Sequence, residues 1–210
     1  LKKQNKIILA LDATDRKKAL EVCEQAAKYV DAIKVGYPLI LAVGLDFIGE
    51  LRRFGKPIIA DLKVADIPEI SRRICQQAVK KGADYVIIHG FVGEDVVKAC
   101  SEVAEIFVVT EMSHPGANDF MATSSEEIGR MARKHAYGIV APATRPEKIK
   151  KLREIVGGLV IISPGVKAQG AEVGDAIMAG ADFEIVGRGI YQAEDPGKAA
   201  KEFSEAVRKL

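Results

Sequence analysis

Asp61, Lys63 and Asp66 stand close together in Asp61-Leu62-Lys63-Val64-Ala65-Asp66-Ile67-Pro68, immediately after the apolar run Pro57-Ile58-Ile59-Ala60. The apolar run reads as a buried strand, and Pro68 suits the first turn of a following helix. Side chains alternate along a strand, so Asp61 and Lys63 point to one face at its C-terminal end, with Asp66 a few residues on in the loop. Charges at the end of an apolar strand cost roughly several kcal/mol each unless they are paired. The plain reading is an Asp–Lys ion pair that fixes a turn. The alternative is a chemical site, and it leaves open what a carboxylate, an ammonium and a second carboxylate could do together.

The elements around this stretch repeat. Apolar runs at 6–11, 32–36, 57–60, 85–89, 106–110, 138–141, 159–163 and 183–186 read as strands, and the segments between them have helical periodicity. Thr14 is the expected cap of a helix over 15–29, and helical material follows over 38–54. A helix over 67–81 is expected to stop at Gly82, and another covers 94–104. Ser124 with Glu127 is a capping box for a helix to about His135; Thr144 with Glu147 does the same to about Val156, and a last helix starts at Pro196. Short apolar strands alternating with helices predict an α/β fold with a wholly parallel sheet. Eight such units predict one (β/α)8 TIM barrel domain over 1–210, the alternative being a doubly wound open sheet. No GxGxxG follows the first strand, which ends in Asp12 instead. Barrel chemistry is built at the C-terminal ends of strands, and Asp12, Lys34, Asp61, Lys63, His89, Ser113 and Arg188 all fall there.

Composition narrows the partners. The chain has 210 residues, 48% of them hydrophobic, enough for one substantial core near the lower end of barrel size. A formal charge of +2 gives no broad basic field, so nucleic acid is not expected, and an anionic ligand must be held by local groups. Cys23, Cys75 and Cys100 are scattered, which suits a reducing cytosol. No apolar run approaches ~20 residues and no signal pattern opens the chain, so a cytoplasmic protein without a membrane segment is expected.

Two loops could hold phosphate. Ser163-Pro164-Gly165-Val166-Lys167-Ala168-Gln169-Gly170-Ala171 follows the seventh strand, and Val186-Gly187-Arg188-Gly189 ends the eighth. In barrels these loops often bind phosphate through backbone N–H groups, and the Arg188 fork matches phosphate oxygens. Taken singly, each is as well explained by a flexible loop or a surface arginine. His89 and His114 read as structural, hydrogen-bonded residues rather than bases; no zinc spacing is present, so no metal or other cofactor is expected. The run Lys148-Ile149-Lys150-Lys151 reads as a solvated helix face.

Over essentially its whole length the sequence resembles the orotidine 5′-monophosphate decarboxylase family, in its compact archaeal-type branch. The resemblance rests on Leu11-Asp12, Lys34-Val35-Gly36-Tyr37-Pro38, Asp61-x-Lys63-x-x-Asp66-Ile67-Pro68, and Thr110-Glu111-Met112-Ser113-His114-Pro115-Gly116. Ser163-Pro164-Gly165-Val166, Ala168-Gln169-Gly170 and Val186-Gly187-Arg188 extend it. It implies metal-free conversion of orotidine 5′-monophosphate to uridine 5′-monophosphate in de novo pyrimidine synthesis. Lys34, Asp61, Lys63 and Asp66 would form the catalytic charge array, with Lys63 protonating C6 of the ring. Asp12 and Lys34 would bind ribose, Ser113 the pyrimidine edge, and Gln169, Gly187 and Arg188 the phosphate, with Pro164 opening the loop that closes over it. Asp66 and Ile67 would reach the neighbouring site of a homodimer. Ile70 stands where the family usually has a ribose-binding Thr.

Two rivals remain open at this stage. Magnesium-dependent sugar-phosphate decarboxylases and synthases of the same superfamily share Asp-x-Lys-x-x-Asp, but carry Glu where Lys34 stands and Ala-Gly where Ile67-Pro68 stands. A catalytically silent nucleotide-binding barrel is the other.

Overall fold

The computed structural model describes residues 1–167 and 169–210, so Ala168 of the Ala168-Gln169-Gly170 motif lies outside the described residues. Strand β1 (Ile7–Leu11) leads into α1 (Arg16–Ala26), and β2 (Ala32–Gly36) into the short helices α2 (Tyr37–Val43) and α3 (Phe47–Leu51). The unit repeats as β3 (Ile58–Val64) with α4 (Pro68–Lys80), β4 (Tyr85–His89) with α5 (Glu94–Ser101), and β5 (Ile106–Val109) with α6 (Ser125–His135). It continues as β6 (Gly138–Val140) with α7 (Pro146–Val156) and β7 (Val160–Pro164) with α8 (Asp175–Met178). The last strand, β8 (Phe183–Val186), is followed by α9 (Arg188–Tyr191) and α10 (Pro196–Arg208). The strands are parallel and paired in chain order, and β1 pairs with β8 at Ile8 and Ile185, which closes the barrel. The expected (β/α)8 TIM barrel is therefore the architecture, and the open-sheet alternative is not.

Strand alternation sorts the apolar residues into two cores. Ile7, Leu9, Leu11, Ile33, Val35, Ile58 and Ala60 pack outward against the helices. Ile8, Ala10, Ile59, Ile87, Phe107, Ile162 and Phe183 fill the barrel interior. Since both faces of every strand are covered, the strands had to be continuously apolar, which is why they stood out in the sequence.

Helix starts differ from expectation where side chains found other partners. Asp15, not Thr14, caps α1: it is the extended residue directly before the first turn, and its Oδ1 accepts from Lys18 N–H at 2.7 Å. Ser124 occupies the cap position of α6 with helical backbone and makes no cap bond, while Glu127 turns to Arg130 at 3.0 Å, so the capping box does not form. Thr144 lies one residue too early for α7, which opens at Pro146. Gly82 does end the α4 segment, at φ +105, a left-handed backbone that glycine adopts without cost. No helix among the described residues is long and apolar enough to cross a membrane.

Candidate active site

The barrel departs from regularity at β3. Register passes from Ala60 beside Val86 to Val64 beside Ile88, so β3 carries extra residues over this span, and Lys63 lies at φ +42. A left-handed backbone at a non-glycine residue costs about 1 kcal/mol or more and survives only where the surroundings impose it. Here Leu62 and Val64 pack into the outer core and act as anchors, so Asp61 and Lys63 both project inward.

The two meet as the motif requires. Lys63 Nζ donates to Asp61 Oδ1 at 2.8 Å, and Lys34 Nζ, from β2, donates to Asp61 Oδ2 at 2.7 Å. Lys34 and Asp61 are each only 7% exposed, whereas the Lys63 side chain is 37% exposed toward the cavity. Burial pushes the Asp61 carboxyl up, but the two ammoniums outweigh it and hold it at about 2. Burial acts against the Lys34 charge too, and Asp61 with Asp12 overcomes it, raising Lys34 above the usual lysine range. Asp12 can approach because Gly36 has no side chain: a Cβ there would lie 3.2 Å from Asp12 Oδ1.

These groups open into a cavity of about 430 Å³ at the C-terminal end of the barrel. Every candidate except Asp66 and Ile67 lines it: Asp12, Lys34, Asp61 and Lys63 on one side, Ser113 above, and Pro164, Gln169, Gly187 and Arg188 on the side of β7 and β8. The loop after β7 folds over toward Ser113. Gly165 sits at φ +112, a left-handed backbone that favours glycine, and a Cβ on it would lie 3.2 Å from Thr144 Cγ2 and 3.5 Å from Ser113 Cβ.

Asp61, Lys63 and Asp66 stand close together in the sequence, but within the barrel only the first two meet. Asp66 is exposed and lines a separate groove with Ile67, Pro68 and Asp95, and its Oδ1 accepts from Ile67 N–H at 2.7 Å. The chain turns outward after Val64, which carries the carboxylate away from its own Lys63. His89 also differs from expectation: its Nδ1 is buried without a hydrogen-bond partner, and the ring packs on Phe91 with centroids 4.7 Å apart. Burial and the nearby Lys63 charge lower its pKa, with Asp61 opposing, so the imidazole is held neutral.

Some of the architecture had no signal in the motifs. Glu111 is fully buried and takes a 2.6 Å hydrogen bond from Arg145 Nη1, which also donates to Met112 O at 2.8 Å. Arg145 Nη2 reaches His114 O at 3.1 Å, and Thr144 Oγ1 donates to Ser113 O at 3.1 Å. The loop between β6 and α7 thus clamps the backbone that carries Ser113. Thr144 and Arg145 follow a strand end, the one available clue, but their partners lie some thirty residues away.

Comparison with known proteins agrees with this geometry. Residues 5–203 match the model of the orotidine 5′-phosphate decarboxylase / HUMPS family. A protein of Methanosarcina mazei named orotidine 5′-phosphate decarboxylase is 56% identical over 96% of this chain and 94% of its own length. A protein of the same name from Thermococcus kodakarensis is 47% identical over 97% of each chain. The crystal structure of orotidine 5′-monophosphate decarboxylase from Methanocaldococcus jannaschii, complexed with the inhibitor BMP, superimposes with a TM-score of 0.91 at 45% identity, covering 96% of this chain and 97% of that one. On its sequence, its barrel and its relatives alike, the chain belongs to the orotidine 5′-phosphate decarboxylase / HUMPS family.

Proposed function

We propose that this chain, acting over residues 1–210 as one barrel domain, is a carboxy-lyase that converts orotidine 5′-monophosphate to uridine 5′-monophosphate. The reaction would proceed without a metal, in cytoplasmic de novo pyrimidine synthesis. The observation that carries the reading is the Lys34–Asp61–Lys63 array, with the buried carboxylate at 2.7 and 2.8 Å from two ammoniums. The close relatives named for this activity support it.

Loss of CO₂ from C6 of an orotate ring leaves an electron pair in an in-plane orbital that the ring cannot delocalise. The chemistry therefore calls for a fixed positive charge at C6 and a proton ready to follow. Lys63 is the group for both: it is held by Asp61 yet open to the cavity. Asp61 lies where the substrate carboxylate leaves, and the repulsion is relieved as CO₂ departs. Lys34 keeps Asp61 ionised, and with Asp12 it meets the ribose hydroxyls. Ser113, on its clamped backbone, meets the pyrimidine edge. Gln169, Gly187 and Arg188 take the phosphate, far from C6, so phosphate binding can drive closure of the loop that Pro164 opens. The donor set supports metal-free chemistry, because a divalent cation beside Asp61 would have to displace two ammoniums.

The array would be completed in a homodimer. Asp66 does not reach its own Lys63, and Ile67 and Phe91 are exposed apolar side chains at the same end of the barrel. A second copy covering them would receive Asp66 and Ile67.

The test is the ultraviolet absorbance change of orotidine 5′-monophosphate with purified protein, with and without a chelator. Conversion indifferent to chelator is expected. Conversion abolished by chelator would point to the magnesium-dependent branch, and tight nucleotide binding without conversion to a silent barrel.

A further inference from the structure

We infer that Ser71 is the positioning residue for Asp66, its hydroxyl fixing the turn between β3 and α4 so that the Asp66 carboxylate is presented to a neighbouring copy's cavity at one set angle. The inference rests on the reading of Asp66 as a member of the catalytic array.

Ser71 is the fourth residue of α4 and is fully buried. Side chains on a helix lean toward its N-terminus, so this hydroxyl faces back over the first turn and onto the entering loop. There it makes two bonds to one residue: Oγ donates to Asp66 O at 2.8 Å and accepts from Asp66 N–H at 3.2 Å. Its own N–H donates to Ile67 O at 3.0 Å. Among the described residues no other group bonds either main-chain atom of Asp66. A single hydroxyl, sheltered from water, thus holds both peptide groups around a residue whose side chain is in solvent.

That arrangement separates two jobs. The helix entry has no side-chain cap of its own, since Ile67 occupies the cap position, so the backbone restraint on the turn comes from Ser71. Among the described residues the Asp66 carboxylate keeps only the bond to Ile67 N–H, within its own turn, and it borders the groove of about 350 Å³ beside Val92 and Asp95. It is free to take an ammonium from another copy while its main chain stays fixed. Precise placement of a charge is worth much in catalysis: a misplacement of about 1 Å can cost about a hundredfold.

The experiment is a double-mutant cycle on decarboxylation of orotidine 5′-monophosphate, with gel filtration and thermal melts on each variant. Ser71→Ala is expected to lower kcat about 10- to 100-fold while KM stays within about threefold; Ser71→Thr, which retains the hydroxyl, should recover most of it. In an Asp66→Ala background, Ser71→Ala should change kcat by less than about twofold, because a residue acting through Asp66 has nothing left to position. The same fold-loss in both backgrounds, or an unchanged kcat for Ser71→Ala beside a crippled Asp66→Ala, would overturn the role of Ser71. An Asp66→Ala enzyme with ordinary kcat would instead remove Asp66 from the array, and this inference with it.

Discussion

At the N-terminal ends of the strands, Asp31, Asp84 and Asp182 each stand directly before an even-numbered strand and reach back to the start of the strand before it. Asp31 accepts from the N–H groups of Gln4, Asn5 and Lys6 at 2.8–3.0 Å, Asp84 from Ile58 N–H at 2.8 Å, and Asp182 from Ile161 N–H at 2.7 Å. Their own N–H groups bond the same strands, to Ile7, Ile58 and Ile161 carbonyls. At the C-terminal ends the corresponding carboxylate, Asp61, is held by two lysine side chains and, among the described residues, by no backbone donor. Asp84 also takes Arg52, and Asp182 also takes Lys3 and Arg153, so the contrast is between acids that have backbone donors, which cannot leave, and an acid held by ammoniums, which can. A backbone N–H is fixed by the sheet, so a carboxylate tied to it contributes stability. An ammonium on a flexible stem can turn to a substrate, so a carboxylate tied to it stores charge for chemistry. Acids serve both ends of this barrel; whether backbone donors hold them decides the use.

The comparison breaks most visibly at Lys63. Lys63→Ala should lower decarboxylation at least about 10³-fold and leave the melting temperature nearly unchanged, since Asp61 keeps Lys34. Turnover within about tenfold of the parent would sink Lys63 as proton donor. Next, Arg188→Ala should lower kcat/KM for the phosphorylated substrate about a hundredfold and hardly affect the unphosphorylated nucleoside; equal losses on both would separate Arg188 from phosphate.

The converse test is Asp31→Ala. It strips several donors of their acceptor and should cost about 3 kcal/mol of unfolding free energy in urea titrations, with kcat barely changed. A fall in kcat without a fall in stability would erase the distinction between the two ends. The smallest effect on activity is expected at Glu184, fully buried on β8, where burial pushes the carboxyl up to about 7 against the pull of the Gly174 N–H bond. A folded-state pKa raised above the unfolded value means the folded protein holds the proton more tightly. Stability should then fall as pH rises from about 4.5 to about 7 and level off above. Glu184→Gln cannot titrate, so it should gain about 3 kcal/mol on the parent at pH 8 and nothing at pH 4. Parallel stability curves for the two proteins would rule out this linkage.

Much of this was legible before any coordinates. Strands β2, β4 and β8 coincide with the apolar runs at 32–36, 85–89 and 183–186, because parallel strands covered on both faces are largely apolar. The Asp61–Lys63 contact followed from strand alternation, a local rule, and it survived the irregular register of β3 because Leu62 and Val64 stay in the outer core. What local rules missed were partnerships across the chain. Thr144 looked like a helix cap and instead holds Ser113 O; Ser71 shows no motif spacing to Asp66; the Asp31, Asp84 and Asp182 pattern precedes strands without resembling any catalytic set.

Chain order and residue type were enough to specify eight parallel units, the strand ends that face the cavity, and the chemistry of an ammonium beside a carboxylate, because each rests on periodicities of a few residues. Which acids have backbone donors, that Asp66 faces away from its own Lys63, and that Arg145 pairs with Glu111 all depend on barrel closure. Closure brings together residues from distant parts of the chain, and only at that point do desolvation and geometry select among the partners that composition makes available.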